Sequence, residues 1–247
     1  MIKFIRSCLT LLSFLIFGVG ASVLNFTVVP LAKYFVKKEE LLYFYSNMVH
    51  KTWKFFVKLL CFIGLIRLDI KNLDELVNIK NKIIVATHPS FVDVVILIAL
   101  IPKTTCIVKE SLGKNPIISN IVNTIFITND TDLDDLKTQT KKMLDSEFNL
   151  IIFPSGTRHK EYEFPKIKKG ASTIAVNSGK NIVPIKFYAD GDFLFINQPV
   201  WAADKKVVTF TIEKLAEIDV LSEINNGESE IIQKRNITKM IENSLYK

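Results

Sequence analysis

Apolar runs separated by polar breaks recur along the chain from about residue 66 onward. Several of these runs are short and end at turn residues, which is typical of strands inside a covered sheet. The predicted strands are residues 67–70, 82–87, 105–109, 124–128, 150–153 and 181–188. Helical patterns over 131–148 and 170–178 lie between them, 193–211 predicts one or two further strands, and 228–246 predicts a surface helix. This alternation predicts an α/β fold with a mostly parallel, helix-covered sheet.

The first 65 residues have a different pattern, with two long apolar segments. Residues 7–30 contain no charged side chain and are long enough to cross a bilayer as a helix. A cleaved signal peptide is the alternative, although this apolar run is longer than a usual signal-peptide core. Residues 39–62 form a second apolar helix with one polar stripe, made of Asn47, His50, Lys51, Lys54 and Lys58. Such a helix lies in a membrane interface or packs as a core helix with a solvated stripe.

The two patterns predict two units, membrane-associated helices over residues 1–65 and an α/β domain over residues 66–247. The N-terminal helices form either a true transmembrane span or a re-entrant hairpin, and the sequence leaves both open. Basic residues before and between the apolar segments favour the cytoplasmic side of a membrane. We therefore expect an N-terminal membrane-binding helical hairpin at the cytoplasmic face of the cell inner membrane.

The net charge and the cysteine and histidine content indicate which classes of partner the protein can have. The 247 residues carry a formal net charge of +7, which suits an anionic membrane surface or a phosphorylated substrate. The sequence contains no recognisable nucleic-acid-binding module, so no nucleic-acid partner is expected. Its 3 Cys have no CxxC spacing, which argues against a disulfide framework and fits a reducing compartment. Its 3 His form no HExxH pair, so we expect no zinc site.

A histidine and an aspartate flank the corner after the predicted strand 82–87. His88 stands at the end of that strand, and Asp93 follows in the first turn of the next helix, with four residues between them. Ligands of open α/β sheets bind at the carboxyl ends of the strands. A carboxylate that accepts a proton from one imidazole nitrogen leaves the other nitrogen free to act as a base. Ser90 and Asp93 also fit a helix capping box, which leaves His88 unexplained.

A second polar loop follows the predicted strand 150–153. Its turn residues Ser155, Gly156 and Thr157 present backbone N–H groups and hydroxyls, and the planar guanidinium of Arg158 suits a phosphate. The basic segment 164–170 then opens the next helix, where an anion is favoured. A solvated lysine loop is the alternative interpretation.

Four motifs follow one another in a fixed order. They are His88 with Asp93, Phe-Pro-Ser-Gly-Thr-Arg over 153–158, Lys-Lys-Gly-Ala over 168–171 and Val-Pro-Ile over 183–185. Together they resemble the glycerolipid acyltransferase family, whose best-known members are the lysophosphatidic-acid acyltransferases. The resemblance extends over about residues 66–188 and includes the membrane-binding helices that precede them.

The resemblance implies that His88 is the general base and that Asp93 orients it. His88 would deprotonate a lysolipid hydroxyl, which then attacks the thioester carbonyl of acyl-CoA or acyl-carrier protein. The implied acceptor is 1-acyl-sn-glycerol-3-phosphate, and the product is phosphatidic acid. No metal and no bound cofactor is expected, because the acyl carrier is a co-substrate. The residues expected to bind substrate are Ser90, Lys109, Phe153, Ser155, Gly156, Thr157, Arg158 and Lys169.

Two positions depart from the family pattern, and both lie on the acceptor side. Ser155 stands where the family usually has glutamate, and Asn129 stands where an arginine usually follows the Phe-Ile-x block. Acyl transfer is expected to survive these changes, because neither involves His88 or Asp93. The acceptor stays open between lysophosphatidic acid and another lysolipid or a lipid-linked amine or sugar.

Three other functions fit parts of the sequence. A serine hydrolase would use Ser155 or Ser90 with His88, but the G-x-S-x-G pattern is absent at both serines. A non-catalytic lipid-binding protein of the same fold would not depend on His88. A membrane-anchored α/β domain without a site would explain the capping box alone and not the ordered set of motifs.

Overall fold

A seven-stranded sheet forms the centre of the protein. The computed structural model describes residues 1–129, 132–159, 165–195, 197–199, 201 and 204–246. The strands are β1 (Ile66–Lys71), β2 (Ile83–Ala86), β3 (Thr104–Val108), β4 (Ile127–Thr128), β5 (Asn149–Ile152), β6 (Ile182–Ala189) and β7 (Val208–Lys214). Their order across the sheet is β1-β7-β6-β2-β5-β3-β4. Every neighbouring pair is parallel except β6 and β7, which confirms the predicted mostly parallel α/β fold.

Helices cover both faces of this sheet. They are α1 (Ile2–Val23), α2 (Val29–Phe35), α3 (Leu41–Phe62), α4 (Leu73–Val77), α5 (Asp93–Leu100), α6 (Glu110–Gly113), α7 (Ser119–Ile125), α8 (Leu133–Asp145), α9 (Gly170–Ser178), α10 (Val220–Ile224) and α11 (Glu230–Tyr246). Helix α9 has the predicted bounds, and Gly179 closes it in a left-handed conformation with φ +64°.

The central strand β2 shows why the sheet is buried on both sides. Ile84 and Ala86 belong to one apolar core, which includes residues of α3 and α5. Ile83 and Val85 belong to a second core, which includes residues of α9 and α11. Side chains alternate between the two faces of a strand, so both faces of β2 are apolar and its sequence is a continuous apolar run.

Register places two polar loops side by side. Strand β2 pairs with β5 in parallel, and Val85 lies opposite Ile152. The residues that follow these two therefore leave the sheet at the same edge. His88 comes three residues after Val85, and Ser155 comes three residues after Ile152. The sheet thus brings together two loops that are more than sixty residues apart in the chain.

Several predicted elements differ in the structure. The predicted strand 124–128 is only the two residues of β4, because Ser119–Ile125 forms helix α7. The predicted strands in 193–211 reduce to β7, which begins at Val208, and to an isolated bridge between Ser90 and Phe195. Helix α8 begins at Leu133, and Thr131, its predicted start, lies outside the described residues. Helix α11 is also no plain surface helix, because Ile237, Ile241 and Leu245 are fully buried.

The N-terminal segment is one long helical rod. A π-helical stretch, Leu24–Val28, joins α1 to α2, and the rod Ile2–Phe35 is long and apolar enough to cross a membrane. Most of its large apolar side chains are exposed. Helix α3 differs because one face of it packs on the domain, where Val49 and Leu60 are buried and His50 Nδ1 donates to Ile98 O at 2.7 Å. The division at residue 65 stays a prediction, as does the choice between a span and a hairpin.

A buried asparagine fastens this rod to the domain. Asn25 lies in the π-helical stretch and is fully buried. Its Oδ1 accepts from the backbone N–H groups of Asn120 at 2.8 Å and Ile121 at 3.3 Å. Its Nδ2 donates to Pro116 O at 3.1 Å. One side chain therefore satisfies three backbone groups at the start of α7.

Replacing this anchor should destabilise the protein. Asn25→Leu leaves the buried Ile121 N–H without its acceptor and removes two part-buried hydrogen bonds, which costs about 2–4 kcal/mol. We expect the Tm of the detergent-solubilised protein to fall by roughly 5–10 °C. Phe26→Leu is the matched control, since Phe26 is exposed in the same stretch. Equal melting of both variants with the wild type would show that Asn25 is no anchor.

Candidate active site

His88 and Asp93 meet across the corner between β2 and α5. His88 Nδ1 lies 3.0 Å from Asp93 Oδ2. The imidazole is 18% exposed, whereas the Asp93 side chain is completely buried. The ring of His88 also stacks on the ring of Phe153, with centroids 4.0 Å apart and planes inclined by 19°. The imidazole is thus held by a carboxylate at one nitrogen and by an aromatic ring on one face.

The hydrogen bond decides which nitrogen of His88 can act. An ionised carboxylate only accepts hydrogen bonds, so the Nδ1 facing Asp93 carries the proton. The other nitrogen, Nε2, then has a free lone pair and is the basic one. A partly exposed imidazole in this tautomer can accept a proton from a substrate hydroxyl.

Burial works against ionisation of Asp93. Desolvation raises the pKa of its carboxyl, and the hydrogen bonds from His88 and from Ser90 N act in the opposite direction. Ser90 N donates to Asp93 Oδ2 at 2.7 Å. The carboxylate is therefore kept in place by two donors that favour its charged form.

Ser90 has a second role beside the capping box. Helix α5 begins at Asp93 with Val92 as its N-cap. The backbone half of the capping box forms, and Ser90 Oγ accepts weakly from Val92 N at 3.4 Å while it donates to Phe193 O at 2.5 Å. Ser90 is fully buried, so its hydroxyl ties the His88 loop to the segment after β6. Its predicted contact with substrate stays a prediction.

The second loop forms a tight turn beside a lysine. Ser155 is buried and its Oγ donates to Thr157 O at 2.7 Å. Gly156 has φ +71°, a left-handed conformation that favours glycine. A Cβ built on Gly156 would lie 2.5 Å from Lys168 Nζ. The ammonium therefore lies directly against the turn, and it is Lys168 that reaches this position.

One nitrogen of the Arg158 guanidinium is hydrogen-bonded to the protein backbone. Its Nη1 donates to Leu194 O at 3.0 Å, and the group lies 5.9 Å from the centre of the Phe91 ring. Arg158 is partly exposed. The loops that carry His88 and Arg158 are thus adjacent. The assignment of Arg158 as a phosphate ligand stays a prediction.

The remaining predicted binding residues lie at helix starts. Lys109 is exposed at the N-cap of α6, and Lys169 is exposed at the N-cap of α9. Asn129, at the position where the family usually has arginine, accepts from Glu110 N through its Oδ1 at 3.1 Å. The asparagine therefore serves as a cap for α6 and brings no positive charge to the site.

A second histidine lies behind the site and was not singled out from the sequence. His159 is buried, and its N–H donates to His88 O at 3.0 Å. Tyr246 Oη lies 3.1 Å from His159 Nε2. Burial raises the pKa of Tyr246 to about 12, so the hydroxyl beside the His159 ring keeps its proton. The end of α11 is thereby attached through His159 to the backbone of the His88 loop, a contact without a local sequence signal.

Across the described ranges, no group of three or more His, Cys, Asp and Glu side chains is gathered as a metal site would require.

Several known proteins are similar to this chain in sequence or in fold. The profile of a family described as Acyltransferase matches residues 67–188. The 1-acyl-sn-glycerol-3-phosphate acyltransferase of Helicobacter pylori is 32% identical over 132 residues, covering 51% of this chain and 55% of that protein. A chloroplastic 1-acyl-sn-glycerol-3-phosphate acyltransferase of Arabidopsis thaliana is 28% identical over 133 residues, covering 50% of this chain and 37% of that protein.

The crystal structure of PlsC, the 1-acyl-sn-glycerophosphate acyltransferase from Thermotoga maritima, superposes with a TM-score of 0.73. The superposition covers 98% of this chain and 95% of PlsC at 20% identity, so it shows a common fold. The match to the curated relatives spans 37% to 55% of their length. The mostly parallel sheet with N-terminal helices is thus a fold found among lipid acyltransferases. The chain resembles the glycerolipid acyltransferase family in sequence and in fold, as its four motifs predicted.

Proposed function

We propose that the protein is an O-acyltransferase that moves a fatty acyl group from an acyl thioester to a lysolipid hydroxyl. The observation that carries this proposal is the His88–Asp93 pair, 3.0 Å apart, beside the loop that holds Arg158. The pair supplies a base whose reactive nitrogen is set by a buried carboxylate. The neighbouring loop supplies cations that suit the phosphate of an acceptor.

The proposed reaction has two steps that balance without any cofactor. His88 Nε2 takes the proton of the acceptor hydroxyl while the oxygen attacks the thioester carbonyl. A carbon–oxygen bond forms, and the resulting tetrahedral intermediate collapses with cleavage of the carbon–sulfur bond. The imidazolium returns its proton to the leaving thiolate, so His88 ends neutral and the products are an ester and a free thiol.

We infer that the acceptor carries a phosphate, with 1-acyl-sn-glycerol-3-phosphate as the leading candidate. The relatives bear that name, and in this chain Lys168 Nζ lies against the Gly156 turn while Arg158 follows in the same loop. A different lysolipid is the second candidate. It is favoured by Asn129, whose side chain caps α6 where the family usually has arginine.

The donor and the location are proposed on chemical grounds. The acyl carrier is acyl-CoA or acyl-carrier protein, since either presents the thioester that the reaction needs. The rod Ile2–Phe35 is proposed to bind the membrane, because its exposed side chains are largely apolar. The basic residues around it favour the cytoplasmic face of the inner membrane.

The decisive experiment follows thiol release from a long-chain acyl thioester by the purified, detergent-solubilised protein. Each donor type is tested against a panel of lysolipids with and without phosphate head groups. Acceptor-dependent release with formation of a diacyl lipid supports the proposal and identifies the acceptor. Release of free fatty acid without acceptor indicates a hydrolase instead. A lysophospholipid with a larger head group as the best substrate would favour the second candidate acceptor.

The hydrolase alternative is weakened by the two serines it needs. Ser155 Oγ donates to Thr157 O, and Ser90 Oγ donates to Phe193 O. Both serines are buried, so neither hydroxyl is presented to a substrate. A non-catalytic lipid-binding protein would show lipid binding and no thiol release with any donor.

The Gly156 turn provides a test of acceptor binding. Gly156→Ala places a methyl group where Lys168 Nζ now lies, so the ammonium must move away. Loss of one charge-assisted contact corresponds to about 1.5–3 kcal/mol, and we expect the KM for a phosphorylated acceptor to rise at least about tenfold. Gly227→Ala is the matched control, because Gly227 has φ +80° and an added Cβ meets nothing within 4 Å. An unchanged KM in Gly156→Ala would remove Lys168 from acceptor binding.

A further inference from the structure

Three consecutive carbonyls of one segment hold both loops of the candidate active site. The segment is Phe193–Phe195, which follows β6 and was expected from sequence to be part of a strand. Phe193 O accepts from Ser90 Oγ at 2.5 Å. Leu194 O accepts from Phe91 N at 3.1 Å and from Arg158 Nη1 at 3.0 Å, and Phe195 O accepts from the same Nη1 at 3.4 Å. The 193–195 segment therefore bonds to the His88 loop and to the Arg158 loop at the same time.

Leu194 has an unusual backbone conformation at the centre of this arrangement. Its φ is +57°, in the left-handed region that leucine seldom adopts. The residue is buried, with 5% of its surface exposed. A strained backbone at a buried position persists only where its surroundings impose it, and such positions cluster at functional sites. Here the left-handed turn directs the Leu194 carbonyl toward the donors of both loops.

A glutamine keeps the segment in this shape from the other side. Gln198 Oε1 accepts from Phe195 N at 2.9 Å, and Gln198 Nε2 donates to Asp192 O at 3.1 Å. These bonds join the residues before and after the segment. The carbonyls at 193 and 194 are consequently fixed in direction before any substrate binds.

We propose that Leu194 is a positioning residue for acyl transfer. Its left-handed backbone holds the carbonyl that bridges Phe91 N and Arg158 Nη1, and this bridge sets the separation between the His88 base and the Arg158 guanidinium. An acceptor held by Arg158 then presents its hydroxyl to Nε2 of His88. The inference rests on the proposed function, because it assigns the acceptor to Arg158. It adds a residue outside the four sequence motifs.

The physical reason is that the direct bond from His159 N to His88 O joins only the backbones of the two loops, whereas the Leu194 carbonyl also holds the Arg158 guanidinium. His88 follows β2 and Arg158 follows β5, and the paired strands fix only the points where the loops leave the sheet. A displacement of about 1 Å between base and acceptor can lower the rate about a hundredfold. The bridging carbonyl removes that freedom.

Two substitutions at position 194 separate backbone conformation from side-chain packing. Leu194→Val keeps most of the buried apolar volume, but a β-branched residue strongly disfavours the left-handed region. Leu194→Gly loses the buried side chain, but glycine adopts φ +57° readily. If the backbone positions the loops, the valine variant is the less active one although the glycine variant loses more packing.

We expect Leu194→Val to lower kcat/KM for the acceptor at least about tenfold and Leu194→Gly to lower it by no more than about threefold. We also expect the melting temperature to fall further in Leu194→Gly, so that activity and stability rank the two variants in opposite orders. Equal activity of Leu194→Val and the wild type would overturn the proposal. So would activity losses in both variants that simply follow their melting temperatures.

Amide hydrogen exchange tests the bridge without any assay of acyl transfer. The N–H of Phe91 should exchange at least about tenfold faster in Leu194→Val than in the wild type, and Leu194→Gly should protect it nearly as well as the wild type. If the wild type transfers no acyl group, the proposed function is wrong. The exchange rate of the Phe91 N–H still shows in that case whether the Leu194 carbonyl holds it. Unchanged protection of Phe91 in Leu194→Val would overturn the bridge itself, even if acyl transfer is confirmed.

Discussion

Replacing His88 with alanine is expected to lower acceptor-dependent thiol release by about 10²–10⁴-fold. The substitution removes the imidazole whose Nδ1 is hydrogen-bonded to the Asp93 carboxylate. Without it, nothing at the end of β2 can take the proton of the acceptor hydroxyl. The measurement is the rate of thiol release with saturating donor and acceptor, together with the KM for each substrate.

His50→Ala is the matched control for this change. His50 also donates through Nδ1, but to the backbone carbonyl of Ile98 on the far side of α5. We expect His50→Ala to keep activity within about twofold of the wild type after correction for the folded fraction. A folded His88→Ala variant with full activity would exclude base catalysis by His88. A different outcome would support a non-catalytic role: the wild type releases no thiol, and His88→Ala binds lipid as well as the wild type does.

Asp93→Asn is expected to have the second-largest effect, and its cause is the loss of negative charge beside His88. Asp93 Oδ2 accepts from both His88 Nδ1 and Ser90 N, so the amide keeps its oxygen toward these two donors. A neutral amide does not stabilise the imidazolium that forms when Nε2 takes the proton. By analogy with other histidine–aspartate pairs, we expect a loss of about 10²–10⁴-fold in kcat. Thiol release is again the measurement.

The same substitution should not destabilise the protein. Burial raises the pKa of the Asp93 carboxyl, so the folded protein binds its proton more tightly than the unfolded chain does. Ionisation of this group above its ordinary pKa of about 3.9 therefore lowers the free energy of unfolding, and a neutral amide avoids that loss. We expect Asp93→Asn to melt at or above the wild-type Tm at pH 8.

Asp93→Ala provides the contrast for stability. Alanine leaves the buried Ser90 N–H without the acceptor that it has at 2.7 Å, which costs about 1–3 kcal/mol. We expect both variants to be inactive and only the alanine variant to melt at a lower temperature. If Asp93→Asn kept its activity, the carboxylate would have a structural role alone. If it melted well below the wild type, the ion pair with His88 would outweigh the desolvation of Asp93.

Asn129 and Ser155, the two positions that depart from the family pattern, both make hydrogen bonds to backbone groups. Asn129 lies next to β4 and its side chain caps α6. Ser155 turns its hydroxyl back onto Thr157 O. Ser155 satisfies a backbone group within its own loop and Asn129 satisfies one at the start of α6, and we propose that Lys168 and Arg158 supply the positive charge for a phosphorylated acceptor. This arrangement makes the panel of acceptors the most informative part of the activity assay.

Local patterns along the chain were sufficient to predict much of this protein. Strands β2, β5 and β6 were expected within about one residue, because their apolar runs are buried on both faces and end at turn residues. Helix α9 was expected over its full length, since Gly179 ends it by a conformation that glycine adopts readily. His88 and Asp93 were expected to meet, because only four residues separate them across one corner. In each case the determining interactions lie within a few residues of one another.

Contacts between distant parts of the chain decided the remainder. The antiparallel pairing of β7 with β6, the placement of Lys168 against Gly156 and the anchoring of Asn25 on α7 join residues that local periodicity cannot relate. The bridge from Leu194 to Phe91 and Arg158 depends on carbonyl groups, which are identical in every residue and leave no mark in the sequence. The sequence therefore predicted the family, the mostly parallel sheet and the pairing of His88 with Asp93. Only the tertiary structure determined how the two loops are held together, because backbone hydrogen bonds across long separations form only once the chain has folded.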